Sequence, residues 1–212
     1  MKSFLASKMP YILSLGPFIL MLFFSGCMPH GKQAPPVHFY RLFYDAPKPA
    51  GIKTAAVIRI KPVKVMAPYD SKKIVYLHEN GLEQGFYRYH RWAAFPNDMI
   101  FNLISRDIRR SGISASVITN TSALLPTHIL EIVVNRFYEK DGKTSWKAIV
   151  SLTARLIKED SDGQARLLFE KTYSSARTLE HKNPKGLARA LSLALSDISG
   201  RMIHDIGFEI KS

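Results

Sequence analysis

The chain has 212 residues, 46% of them hydrophobic, and carries 30 lysines and arginines against 17 acidic residues, a net charge of +13. So positive a balance favours anionic partners, but the basic residues are scattered and cluster only in the pairs Lys72-Lys73 and Arg109-Arg110, which argues against a dedicated polyanion-binding tail. The single cysteine, Cys27, excludes a disulfide within the chain.

Lys2 and Lys8 precede an uncharged run from Tyr11 to Phe24, and Ser25 and Gly26 stand directly before Cys27. A positive start, an apolar stretch and a small-residue cleavage site are the order of a secretory signal peptide. The run is shorter than the roughly 20 residues a spanning helix needs, and Gly16 and Pro17 weaken it as a permanent helix. Residues 22–27 resemble the lipobox of bacterial lipoproteins, with Phe24 where leucine is usual. That resemblance implies diacylglyceryl transfer to the Cys27 thiol, cleavage between Gly26 and Cys27, and acylation of the new amine. An ordinary signal peptide, or a signal anchor with an incidental cysteine, is the other reading. Met28, in place of an aspartate, favours the outer membrane. The chain thus divides into a leader (1–26), a lipidated tether rich in proline (27–36) and one domain (37–212). The 186 residues from Cys27 onward keep 28 basic and 17 acidic residues, a net of +11, and are long enough to bury one sizeable core. Export speaks against a nucleic-acid partner.

Val37 to Tyr44 is rich in aromatic and β-favouring residues and reads as a strand. Thr54 to Val65 alternates and reads as a strand that ends or bulges at Pro62. Residues 72–79 and 85–95 read as two short strands about Asn80-Gly81, a strong hairpin dipeptide. Pro96 ends the extended stretch and Asn97 is the expected N-cap of a helix. Its apolar residues Ile100, Leu103, Ile104 and Ile108 recur at helical spacing, and Gly112 is placed to stop it. Ile113 to Ile118 is a short strand. Ile129 to Tyr138, Trp146 to Leu156 and a third strand with Leu167, Phe169 and Tyr173 on one face form an antiparallel meander joined at Asp141-Gly142 and Asp162-Gly163. In the middle strand Trp146, Ala148, Val150, Leu152, Ala154 and Leu156 point inward, with Lys147, Ser151, Thr153 and Arg155 outward. After Pro184, the residues Leu187, Ala190, Leu191, Ala194, Ile198, Met202 and Ile206 form one apolar stripe of a long helix. The fold class is α+β: a single domain, a mainly antiparallel sheet, a mid-chain helix and a long C-terminal helix packed on it.

Catalytic chemistry finds no footing. The histidines, at 30, 38, 78, 90, 128, 181 and 204, show no metal-ligand spacing. No nucleophile elbow or P-loop occurs, and a lipidated Cys27 is no nucleophile. The stretch Phe86 to Trp92 (FYRYHRW) alternates rings and cations. It fits a strand with buried rings and outward cations, a lipid or protein contact or, less well, a stack for bases.

Tyr40 and Leu42, Pro62-Val63, Pro68-Tyr69, Ile74-Val75-Tyr76, Trp92-Ala93 and Pro96 stand in an order that resembles the ABC-type transport auxiliary lipoprotein family, including its PqiC-like members. The turn Asp70-Ser71-Lys72-Lys73 departs from the arginine-bearing turn of that pattern. The resemblance implies a non-enzymatic outer-membrane lipoprotein facing the periplasm, without cofactor or metal. It implies as partners an MCE-domain protein with its ABC permease and ATPase, and outer-membrane lipids held through the acyl chains on Cys27. The domain then docks the periplasmic end of the conduit, or forms a homo-oligomeric ring that receives it, and phospholipid or another hydrophobic substrate passes between the membranes. A structural lipoprotein that activates a cell-wall synthase or assists an outer-membrane complex is the alternative.

Overall fold

A computed structural model describes residues 34–49, 54–160 and 163–211. Residues 161 and 162, and with them the Asp162 half of the second expected turn, lie outside the described residues. The elements belong to a unit that begins at Pro36. In chain order they are β1 (His38–Tyr40), β2 (Val57–Ile60), β3 (Lys64–Val65), β4 (Lys73–Leu77), β5 (Gln84–Trp92), α1 (Pro96–Ser111), β6 (Ser116–Ile118), β7 (His128–Lys140), β8 (Lys147–Glu159), β9 (Ala165–Thr178) and α2 (Pro184–Lys211).

Strand β7 is the hub. One of its edges pairs antiparallel with β8 from His128↔Lys158 to Lys140↔Lys147, and β8 pairs antiparallel with β9. Its other edge takes up β2, β3 and β4 in succession, all parallel: Ile58 opposite His128, Lys64 opposite Val133, Tyr76 opposite Glu139. The longest ladders are the antiparallel ones of the meander. The N-terminal strands join in parallel because α1 and its flanks supply the long crossover that parallel neighbours require. Strands β5 and then β1 extend the sheet beyond β4, with β1 parallel to β5.

Local chemistry accounts for the element ends. Ile58 and Ile60 are buried, and so is Val63, three residues on. The break at Pro62 therefore shifts the alternation by one and returns a side chain to the core. The β4–β5 hairpin turns over residues 78–83, where His78 N–H donates to the Glu83 carbonyl and Asn80 Oδ1 accepts the N–H groups of Leu82 and Glu83. Gly81 takes φ +70° there. Gly85 is required by packing: a Cβ on it would fall 2.3 Å from Tyr76 Cζ, so the Tyr76 ring lies over the glycine across the strand pair.

Three expectations are corrected. Helix α1 begins two residues early, with Phe95 as N-cap and Pro96 in its first turn, and Asn97 Nδ2 donates to Asp98 Oδ1 instead of capping. Proline's fixed φ suits the first helical position, so Pro96 starts the helix, while the strand before it already ends at Trp92. Ser151 is buried, with its Oγ accepting from Ser174 Oγ across β8–β9. Leu167 is exposed because a bulge shifts the β8–β9 register between Leu156 and Ile157, and Leu168 turns inward instead.

Helix α2 closes the core. Asn183 Oδ1 accepts the Gly186 N–H at its start. Leu187, Ala190, Leu191, Ala194, Ile198, Met202 and Ile206 are all buried, in one cluster with the inward residues of β7, β8 and α1. Each large aliphatic of this stripe contributes about 1.5–3 kcal/mol by burial. Among the described residues no helix is long and apolar enough to cross a membrane.

Candidate functional site

Gly26 and Cys27, the residues singled out for cleavage and lipidation, lie outside the described residues. What is described is the place where the tether enters the domain. Only His38–Tyr40 of the expected Val37–Tyr44 strand pairs into the sheet, but burial divides the segment into two faces as far as Tyr44. Leu42 and Tyr44 are buried and Tyr40 packs on the core, while Val37, Phe39 and Phe43 face outward. The Phe43 N–H donates to Ser192 Oγ at 2.9 Å, which fixes the segment beside α2. A groove runs between them, lined by Phe39, Arg41 and Phe43 on one side and Lys185, Arg189 and Leu193 on the other. Phe39 is 65% exposed, Phe43 63% and Leu193 46%. The Arg41 guanidinium lies 5.5 Å from the centre of the Phe43 ring. Register places Arg91 and then Lys73 beside Phe39 across β5 and β4. The acids nearby are Asp45, which also lines the groove, and Glu180, 3.3 Å from Arg189. The surface is thus apolar, bordered by cations and largely open.

The 86–92 stretch splits between core and surface. Trp92 is buried against Phe137, with ring centroids 5.4 Å apart. Phe86 stays exposed beneath the Lys73 ammonium, 4.9 Å from its ring centre. Tyr87 and His90 join a lattice of rings. His90 stacks on His38 at 5.4 Å, its Nδ1 shares a 3.0 Å hydrogen bond with Tyr40 Oη, and Tyr87 meets both His90 and Tyr76 edge-on. Burial lowers the affinity of His90 for a proton, and the charges of His38 and Arg91 lower it further.

At one end of this lattice lies Glu139, 1% exposed. Its Oε1 accepts the Tyr87 hydroxyl at 2.8 Å, and its Oε2 has no partner among the described residues. Burial pushes the Glu139 carboxyl up to about 7; the Tyr87 hydrogen bond opposes this and the Asp141 charge adds to it. An unfolded glutamate titrates near 4.5, so between these values the folded chain holds the extra proton. The resulting stabilisation is complete below about 4.5 and is lost as pH rises through about 7. Glu139→Gln should remove that loss. Between about pH 5 and pH 8, the unfolding free energy of the wild type, read from denaturant titrations, should fall relative to the variant by at most about 3 kcal/mol. Parallel pH profiles for the two proteins would refute the assignment.

The remaining polar clusters are built into the fold. Asp107 accepts from Tyr44, Ser199 and Arg106, tying together the entering segment, α2 and α1. Asp205 on α2 accepts from Lys171 and Tyr173 on β9. Burial opposes its ionisation, but these two hydrogen bonds and one from His204 outweigh it and hold the carboxyl below its ordinary value. Among the described residues no three histidine, cysteine or acidic side chains converge as a metal site. Sequence reading missed both the two-faced entering segment and Asp107. The signal for Asp107 was present: it stands at helical spacing between Ile104 and Ser111, inside the buried stripe of α1.

The comparisons with known proteins bear on what such a surface serves. No curated protein matches the chain. Among solved structures it is similar to protein XCC0632 from Xanthomonas campestris, of the family DUF330, at 22% identity and TM-score 0.71, over 82% of this chain and 96% of that one. An uncharacterized protein aligns over 81% and 99% at 12% identity and TM-score 0.62. The hypothetical protein CT253 from Chlamydia trachomatis aligns over 74% and 98% at 8% identity and TM-score 0.54. Identities this low show a shared fold. The family model described as the ABC-type transport auxiliary lipoprotein component matches residues 40–202, which take in the Tyr40–Tyr44 segment, strands β2 to β9 and most of α2. The chain belongs to the ABC-type transport auxiliary lipoprotein component family.

Proposed function

We propose that this lipoprotein is a non-enzymatic, outer-membrane-anchored component of an MCE-type ABC transport system. Lipid on Cys27 tethers it, with cleavage after Gly26. The domain then docks the periplasmic end of the conduit through which phospholipid or another hydrophobic substrate passes. The observation that carries this reading is the family match across nearly the whole domain. The Asp107 and Asp205 clusters fit it: each is held by hydrogen bonds between elements of the fold. The open apolar face bordered by cations supports it as well.

The test is capture from intact cells. The native lipidated protein, crosslinked in place and purified through a C-terminal tag, should bring down an MCE-domain protein and its permease. Repeated recovery of a cell-wall synthase or a β-barrel assembly component, with no transporter subunit, would overturn the proposal in favour of a structural or assembly role.

A further inference from the structure

Phe39, Phe43 and Leu193 are large apolar side chains held in the open, close together, on a surface otherwise supplied with charge. Exposed apolar groups scattered singly need no explanation, but a contiguous group rimmed by polar residues marks a contact surface. The rim identifies the contact. Arg41, Lys185 and Arg189 line the same groove, and Arg91 and Lys73 continue the positive border beside Phe39. Two acids, Asp45 and Glu180, stand among five cations, so the border is net positive. Rings and leucine flanked by lysine and arginine are the composition of a surface that rests in the headgroup region of an anionic bilayer. There the apolar side chains reach the acyl boundary and the cations meet phosphates.

Connectivity points the same way. Val37 opens the two-faced segment, and ten peptide steps separate it from Cys27. Fully extended, they span no more than about 36 Å. A domain held that close to acyl chains at Cys27 meets the bilayer at a high effective concentration, so a weak surface contact becomes a persistent one.

We infer that the face bearing Phe39, Phe43 and Leu193, with Arg41, Lys185 and Arg189, lies on the anionic lipid surface to which the tether leads and sets the orientation of the domain. This rests on the acyl anchor proposed above.

The chain's one cysteine makes the test clean, because acylation consumes it and leaves an introduced thiol as the only one. Full-length lipidated F43C and L193C, and L82C as control, would each carry a nitroxide in vesicles of phosphatidylethanolamine and phosphatidylglycerol. Leu82 is 89% exposed at the β4–β5 turn. Labels at 43 and 193 should be several-fold more accessible to oxygen, relative to a water-soluble nickel chelate, than the label at 82. Replacing Arg41, Lys185 and Arg189 together by glutamine should bring them close to the control. If the protein is acylated by mass yet labels at 43 and 193 behave like that at 82, the inference falls and the anchoring reading stands. If those labels lose access to both reagents and show spin–spin broadening, a second copy covers the face and the inference falls likewise. If mass shows an unmodified Cys27, the anchoring reading itself fails, and this orientation with it.

Discussion

Asp107→Ala should lower the stability of the domain by about 3–5 kcal/mol, the largest effect expected of any single substitution outside the hydrophobic core. Asp107 is 0% exposed. Its Oδ2 accepts the Tyr44 and Ser199 hydroxyls, each at 2.7 Å, and its Oδ1 accepts Arg106 Nε at 2.9 Å and Nη2 at 2.7 Å. Arg106 also donates to the Tyr44 carbonyl at 2.9 Å and lies over the Tyr44 ring. Removing the carboxylate strips both hydroxyls of their acceptor and leaves the guanidinium without its counter-charge. Hydrogen bonds to a charged group contribute about 1.5–3 kcal/mol each, and a buried group left without a partner costs its desolvation as well. Tyr44→Phe and Ser199→Ala each remove a donor and leave the carboxylate its other partners, so each should cost less, about 1–2 kcal/mol. A double-mutant cycle between Asp107→Ala and Ser199→Ala, read by urea unfolding, should show coupling of at least about 0.5 kcal/mol. Additive losses would mean that the two side chains act separately. Loss of the network also frees the Tyr44 end of the entering segment, so protease cleavage near residues 41–49 should accelerate in Asp107→Ala before it does in Ser199→Ala.

What was legible in the sequence was whatever depends on period and punctuation. The stripe from Leu187 to Ile206 has one helical solution, and all seven of its named positions are buried. The meander was legible because β8 buries Ala148, Val150, Leu152, Ala154 and Leu156 at every second position, between glycine-bearing turns. Errors arose where one residue changes the phase. Pro96, read as the end of an extended stretch, instead opens the helix that follows it. The bulge opposite Leu156 and Ile157 reverses the faces of Leu167 and Leu168. Nothing in the chain announces that β1 pairs with β5 across some fifty residues, or that β2, β3 and β4 share one edge of β7. These pairings join segments far apart in the chain and are decided by tertiary packing. The candidate site was half legible for the same reason. Composition marked Val37 to Tyr44 as β-favouring but assigned it no faces; the position of α2 decides that Phe39 and Phe43 are the outward residues.

Cys27→Ala should remove the protein from the outer membrane altogether, with no loss of folding. In the proposed reading the anchor is chemical and the domain contributes only weak surface affinity. Each buried methylene of an acyl chain adds about 0.8 kcal/mol, so one chain binds marginally and two or more hold firmly. A triacylated Cys27 is in the second regime; no face of the folded domain approaches it. In that reading the substitution removes the acceptor of the diacylglyceryl group, and with it the cleavage after Gly26 that follows acylation. The variant should therefore persist uncleaved, held by its leader at the inner membrane, or appear in soluble fractions. Its fourteen-residue apolar run, at about 1.5 Å per residue, covers only about two-thirds of a bilayer core, so retention through the leader should be incomplete. Intact mass and membrane fractionation read both consequences. The wild type should begin at an acylated Cys27 and sediment with the outer membrane, whereas the variant should carry no lipid mass and be absent from that fraction. A Cys27→Ala protein that still co-fractionates with the outer membrane would locate the anchor in the domain. The exposed Phe39–Phe43 face would then have to supply by itself what acyl chains were assigned to do.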